Sequence, residues 1–161
     1  MKFLRTVRFD PSDAQVFERA AEPGEWAVSG AIAFADLAPG DIAGKTRQAF
    51  SNGFLGLASF GRSTFASVSA MTTEEREAAL DALSAHLIAH YGAPDKAAAR
   101  GAAEEECAFI ADLAAEQPVN TVFAVRREFD EKGRIREEFR IVTPPSGELH
   151  ARIWEIVEDD A

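Results

Sequence analysis

Residues 2–9 alternate, with Phe3, Val7 and Phe9 set against Lys2, Thr6 and Arg8, which is the period-two pattern of a half-buried strand. Asp10-Pro11-Ser12-Asp13 ends it. Residues 25–34 predict a second strand, with Trp26, Val28, Ile32 and Phe34 on one face and the small Ala27, Ser29, Ala31 and Ala33 on the other. A face of small residues lets another element approach closely, so this strand is placed inside the sheet. Residues 41–50 predict a short helix, stopped by Asn52-Gly53 in a left-handed conformation. Residues 65–71 read as a further strand.

Thr72 and Glu75 have the spacing of a capping box, and the helix they open carries a buried stripe of Leu80, Leu83, Leu87 and Tyr91. Gly92 and Pro94 stop it. Pro94 then begins a second helix, running to about residue 116, with Ala103, Cys107, Ile110 and Ala114 on one face and Phe109 and Leu113 beside it. A short turn makes the two helices an antiparallel pair.

The following hairpin can be read to its register, because Val125, Phe129, Ile135 and Phe139 have to share one buried face. A loop of Glu131-Lys132-Gly133, with Gly133 left-handed, meets that requirement. It sets Arg126 opposite Glu138, Arg127 opposite Glu137, Glu128 opposite Arg136 and Asp130 opposite Arg134, each pair worth about 0.2–1 kcal/mol and less when exposed. Pro144-Pro145-Ser146-Gly147 leads to a last strand over residues 150–157 and an acidic end. No repeat, linker or second domain is evident, so residues 1–161 are read as a single domain. The predicted fold is α+β: a largely antiparallel sheet of about five or six strands, with the helix pair packed on one face.

The chain of 161 residues has a formal charge of -10 and a pI near 4.8. It is long enough to bury a core without a disulfide or structural metal. Its acidity argues against nucleic-acid and anionic-membrane surfaces, which demand clustered Lys and Arg. No apolar run approaches a membrane span, and the N-terminus lacks a signal-peptide core. Cys107 is the single cysteine, which suits a reducing compartment. These features predict a cytoplasmic protein without a cofactor.

Gly44-Lys45-Thr46 resembles the end of a phosphate-binding loop, but Pro39 stands where such a loop needs its first glycine and Asp41 adds negative charge. A helix start with Lys45 exposed is the simpler account. His86 and His90 are four residues apart, yet Leu87 replaces the glutamate of the zinc-protease motif and no third ligand is near. No metal site is expected. Cys107 lies among apolar residues, the setting of an inert thiol.

Between Arg47 and Glu74 the chain carries one charge, Arg62, inside a glycine-punctuated apolar run from Asn52 to Phe65. Backbone N–H groups in such a run, with Arg62 and Ser63, offer an anion site. His150 and Arg152, on one face of the last strand, offer further contacts. Tight packing with Arg62 turned outward is the competing account. If a ligand site exists, Arg62, Ser63, His150 and Arg152 are its expected residues.

Phe9-Asp10-Pro11-Ser12-Asp13, the segment Ala21-Glu22-Pro23-Gly24-Glu25-Trp26-Ala27-Val28, Gly44-Lys45-Thr46-Arg47-Gln48-Ala49-Phe50, the glycine run and His150-Ala151-Arg152-Ile153-Trp154 together resemble a small bacterial family labelled as a domain of unknown function. The resemblance covers nearly the whole chain and implies a stand-alone single-domain protein, with no activity, cofactor or site residue to carry over. Two functions of different classes follow. The first is a non-catalytic interaction or assembly protein, with a protein partner or as a homo-oligomer. The second is a small-molecule, anion-binding protein or minor enzyme with a pocket near Arg62.

Overall fold

The structure, a computed structural model, describes residues 1–35 and 37–143. Its elements are β1 (Lys2–Val7), α1 (Ser12–Val16), β2 (Trp26–Val28), α2 (Gly44–Asn52), β3 (Phe54–Gly56), β4 (Arg62–Ser63), β5 (Phe65–Ala70), α3 (Thr73–His90), α4 (Lys96–Ala115), β6 (Val122–Phe129) and β7 (Ile135–Val142). The strands form one 7-stranded sheet in the order β4-β3-β2-β1-β5-β6-β7, and each neighbouring pair is antiparallel. The expected α+β architecture is present, with slightly more strands than sequence periodicity suggested. The additional ones, β3 and β4, are too short to show a period.

The sheet is curled. Phe139 on β7 packs 6.1 Å from Phe54 on β3, although the two strands lie toward opposite ends of the strand order. Phe139 also meets Phe109 on α4 at 5.5 Å. Helix α4 lies along β1 and β2, and its buried face, Ala99, Ala103, Cys107, Ile110 and Ala114, is mostly small, so the helix axis comes close to the strands. The buried face of α3 is Ala79, Leu80, Leu83 and Leu87. Each fully buried leucine there contributes about 1.5–3 kcal/mol.

Both helices start as their sequences require. Thr72 Oγ1 accepts from the Glu75 amide at 3.1 Å, and Glu75 Oε1 accepts from the Thr72 amide at 2.8 Å, so two otherwise orphaned donors are satisfied. Helix α4 begins two residues later than Pro94, because Asp95 Oδ1 takes the Ala98 amide at 2.8 Å. Tyr91 departs from the predicted stripe: it is 40% exposed, since α3 has already ended there.

The hairpin has the expected register, Val125↔Phe139, Arg126↔Glu138, Arg127↔Glu137 and Glu128↔Arg136, with Gly133 at φ 77. The strand predicted over residues 25–34 is corrected. It stops at Val28, because Gly30 takes φ 86, a left-handed value, and turns the chain into a 3-10 turn at Ala31–Phe34. Phe34 therefore leaves the sheet and joins Ile42 and Phe50 in a second small cluster. There Phe50 stacks on Phe129 with centroids 4.6 Å apart.

The predicted stop of the 41–50 helix is also corrected. Helix α2 starts at Gly44, with Lys45 and Thr46 exposed, and passes at Gly53 (φ -100) directly into extended backbone. The final strand predicted at 150–157 lies outside the described residues. No helix among the described residues is long and apolar enough to cross a membrane.

Candidate functional site

Two guanidinium groups are buried side by side where α2 ends. Arg62 Nη1 donates to the carbonyl oxygens of Gly30 at 3.3 Å and Gly53 at 3.2 Å, and its Cζ stands 4.9 Å from the Phe34 ring centroid. Arg127, whose side chain has 0% exposure, donates from Nη1 to Phe50 O at 2.8 Å, Gly53 O at 3.0 Å and Ala49 O at 3.4 Å. Its Nη2 donates to the Ser29 carbonyl and hydroxyl oxygens, and its Nε to Glu137 Oε2 at 2.7 Å. The Gly53 carbonyl thus serves both cations.

Several features make this like-charge pair tolerable. The exposed carbonyl ends of α2 carry the negative end of the helix dipole, Glu137 supplies a full counter-charge, and the Phe34 ring face attracts Arg62. Burial, followed by the neighbouring Arg127, still presses Arg62 down to about 9. Arg127 is lowered by burial too, against the pull of Glu137. Arg62 stays cationic at neutral pH, and Arg127 keeps its ion pair with Glu137 at 2.7 Å. Gly30 is required beside them, because a Cβ there would run into Arg62 Nη1 and would come within 2.9 Å of Leu55 Cβ, on backbone that is already left-handed.

Toward solvent the cluster becomes acidic. Glu137 Oε2 also accepts from Ser29 Oγ, and Glu106, on α4, faces Glu137. Burial, followed by the Glu137 charge, pushes Glu106 up to about 7, although Arg127 and Arg62 pull the other way. A cavity of about 280 Å3 opens here, lined by Ser29, Ile32, Glu105, Glu106, Phe109 and Glu137 among others. It shares Ile32 and Ala102 with an adjoining cleft of about 680 Å3 at the α3–α4 turn, where Leu37, Leu87, His90, Tyr91 and Pro94 also contribute. A further groove of about 650 Å3 runs between α2 and the hairpin, past Arg47, Thr64, Arg126 and Arg140.

The glycine run does hold an anion, and that anion is the chain's own. The Glu25 carboxylate accepts from the amides of Ala58 at 2.9 Å, Ser59 at 2.8 Å and Glu22 at 2.6 Å, and from Ser59 Oγ at 2.6 Å. Burial alone would raise this carboxyl, but the hydrogen bonds from Ser59, Ala58 and Glu22 outweigh it and hold it below the usual value. Its stabilisation is therefore present above the unfolded value of 4.5 and is lost as pH falls through the lower folded one. We expect Glu25→Gln to cost about 1–2 kcal/mol at neutral pH. Urea denaturation near pH 7 and near pH 3 should show the gap shrinking in acid, and an equal gap at both would refute this account.

The sequence-derived site residues separate. Arg62 turns inward, not outward, and both bonds of its Nη1 go to carbonyls. The Ser63 hydroxyl donates to Phe65 O at 2.7 Å. His150 and Arg152 lie outside the described residues. His86 stacks on Phe60 at 3.8 Å and meets His90 at 4.7 Å; burial, then the neighbouring charges, lower its pKa. Burial pushes the Cys107 thiol up to about 11.

Sequence reasoning pairs Arg127 with Glu137 across the hairpin without assigning them to a site, reads Glu104-Glu105-Glu106 as solvated helix surface although Glu106 is half-buried, and does not single out Glu25. A signal existed for the first two, since period-two parity places Arg127 with Val125 and Phe129, and Glu137 with Ile135 and Phe139. No curated protein and no solved structure matches the chain significantly. The model of a family of unknown function (DUF6505) matches residues 1–156, and the chain belongs to that family.

Proposed function

We propose that the protein is a non-catalytic interaction or accessory protein of the cytoplasm, and that it receives a segment of a partner protein in the cleft at the α3–α4 turn. The cleft itself supports this, being about 680 Å3 in volume and lined mainly by Ile32, Ala33, Leu37, Leu87, Tyr91 and Ala102. Tyr91, in that lining, is 40% exposed. Apolar side chains gathered at a concave surface are the usual mark of an interaction site. Arg62, by contrast, is committed to internal carbonyls, and the Ala58 and Ser59 amides of the glycine run are committed to Glu25. The internal arginine cluster then acts as scaffold, fixing the Ala31–Phe34 turn that forms one wall of the cleft.

Ala98→Arg tests the proposal, because Ala98 is an exposed residue of α4 on the cleft wall and arginine is a good helix former. A partner recovered from native lysate by the wild-type chain should bind the variant about tenfold or more weakly, equivalent to roughly 1.4 kcal/mol. Thermal stability should hardly change. An undiminished affinity, or a chain that stays monomeric and recovers no partner, would remove the support for this function.

A further inference from the structure

We infer that the occupant of the cleft is an apolar protein segment carrying a basic side chain, whose cationic head sits in the adjoining cavity at Glu105, Glu106 and Glu137. This rests on the cleft being the partner site, and it adds what the partner must look like. The two cavities adjoin, with Ile32 and Ala102 in the lining of both, so a chain seated in the larger one can place its next side chain in the smaller. The smaller one has three carboxylates on its wall. Both hydrogen bonds that Glu137 accepts from described residues fall on Oε2, and Oε1 has no hydrogen-bond partner among those residues. Glu106 likewise accepts no hydrogen bond from the described residues.

The two internal arginines do not meet this demand. Arg127 is saturated by Ser29, Ala49, Phe50, Gly53 and Glu137, and the Nη1 bonds of Arg62 go to Gly30 and Gly53. Phe109, 45% exposed, forms an apolar wall along which a lysine or arginine stem can lie while its charged end reaches the carboxylates. A cationic head therefore matches both the apolar wall and the acidic end. The formal charge of -10 steers a basic partner inward and repels a second copy of this chain.

Two synthetic peptides with the same leucine spacing, one with lysine and one with glutamine between the leucines, test this on the full-length protein by titration calorimetry. The lysine peptide should bind about tenfold or more tightly than the glutamine peptide. Glu105→Gln with Glu106→Gln should erase most of that preference, leaving the glutamine peptide unaffected. Glu74→Gln with Glu131→Gln, exposed carboxylates far along the chain, should leave the preference intact.

If the remote pair lowers lysine-peptide binding as much as the cavity pair does, the attraction is general and the inference fails. It fails equally if the two peptides bind alike, or if neither binds. Ala98→Arg separates this from the parent proposal. Loss of both peptides in that variant without any lysine preference in the wild type overturns the basic occupant alone, whereas no effect on either peptide overturns the cleft.

Discussion

Arg127→Met should destabilise the protein by about 3–5 kcal/mol, a large fraction of the roughly 5–15 kcal/mol that holds an ordinary domain together. The variant removes at once every hydrogen bond that Arg127 donates to the end carbonyls of α2, to Ser29 and to Glu137. The Glu137 carboxylate then stays partly buried without its counter-charge, and that is where most of the cost arises. Arg127→Lys should be nearly as damaging, because a single ammonium cannot reach carbonyls on three sides as a planar guanidinium does.

Arg62→Met should cost far less, about 1–2 kcal/mol. Arg62 serves only the carbonyls of Gly30 and Gly53, and its removal ends the repulsion between the two buried guanidinium groups. Denaturant unfolding of the three variants gives the ranking. Arg127→Met within about 1 kcal/mol of wild type, or less costly than Arg62→Met, would show that the cluster is not the lock described here.

That lock was half-visible in the sequence. Cross-strand charge pairing and the Glu131-Lys132-Gly133 loop specify the β6–β7 register locally, and the observed register agrees at each pair from Val125 to Glu128. The same register states that Arg127 faces inward, because its parity is that of Val125 and Phe129. Charge invites the opposite conclusion, since arginine is seldom buried. What buries it is the curl that brings α2 and Ser29 over β6, a contact between residues 98 apart along the chain, and no local pattern encodes it.

The helices were legible for the opposite reason, as caps and stripes act within a few residues. Residues 25–34 misled because a glycine inside an apolar alternation fits both a strand and a break. Gly30 breaks it at φ 86, and Arg62 standing against that glycine leaves no room for a Cβ, again a long-range cause. Glu25 had no local signature either. Its partners Ala58 and Ser59 belong to the glycine run, 33 and 34 residues farther along the chain.

Glu106→Gln should make the protein more stable, and only above mildly acidic pH. A carboxyl held near 7 in the folded state, against 4.5 unfolded, has to take up a proton on folding between those values. Stability is therefore intact below about pH 4.5 and is lost as pH rises through 7, the reverse of Glu25. The gap corresponds to at most about 3 kcal/mol. Because Glu106 is partly open to the cavity, about 1–2 kcal/mol is the expected gain for the glutamine variant near pH 8, vanishing near pH 4.5.

The charged groups bearing on Glu106 are Glu137 and Glu105, which raise it, and Arg127 and Arg62, which lower it. A gain independent of pH, or one that grows in acid, would contradict this balance. A carboxylate that weakens the fold at neutral pH persists most readily where a ligand repays it, and a cationic side chain from a partner would do so by returning Glu106 to its ionised form. The same substitution should thus strengthen the free protein and weaken its hold on a basic segment. Stability and binding moving in opposite directions from one side chain is the signature that separates a site from a packing defect.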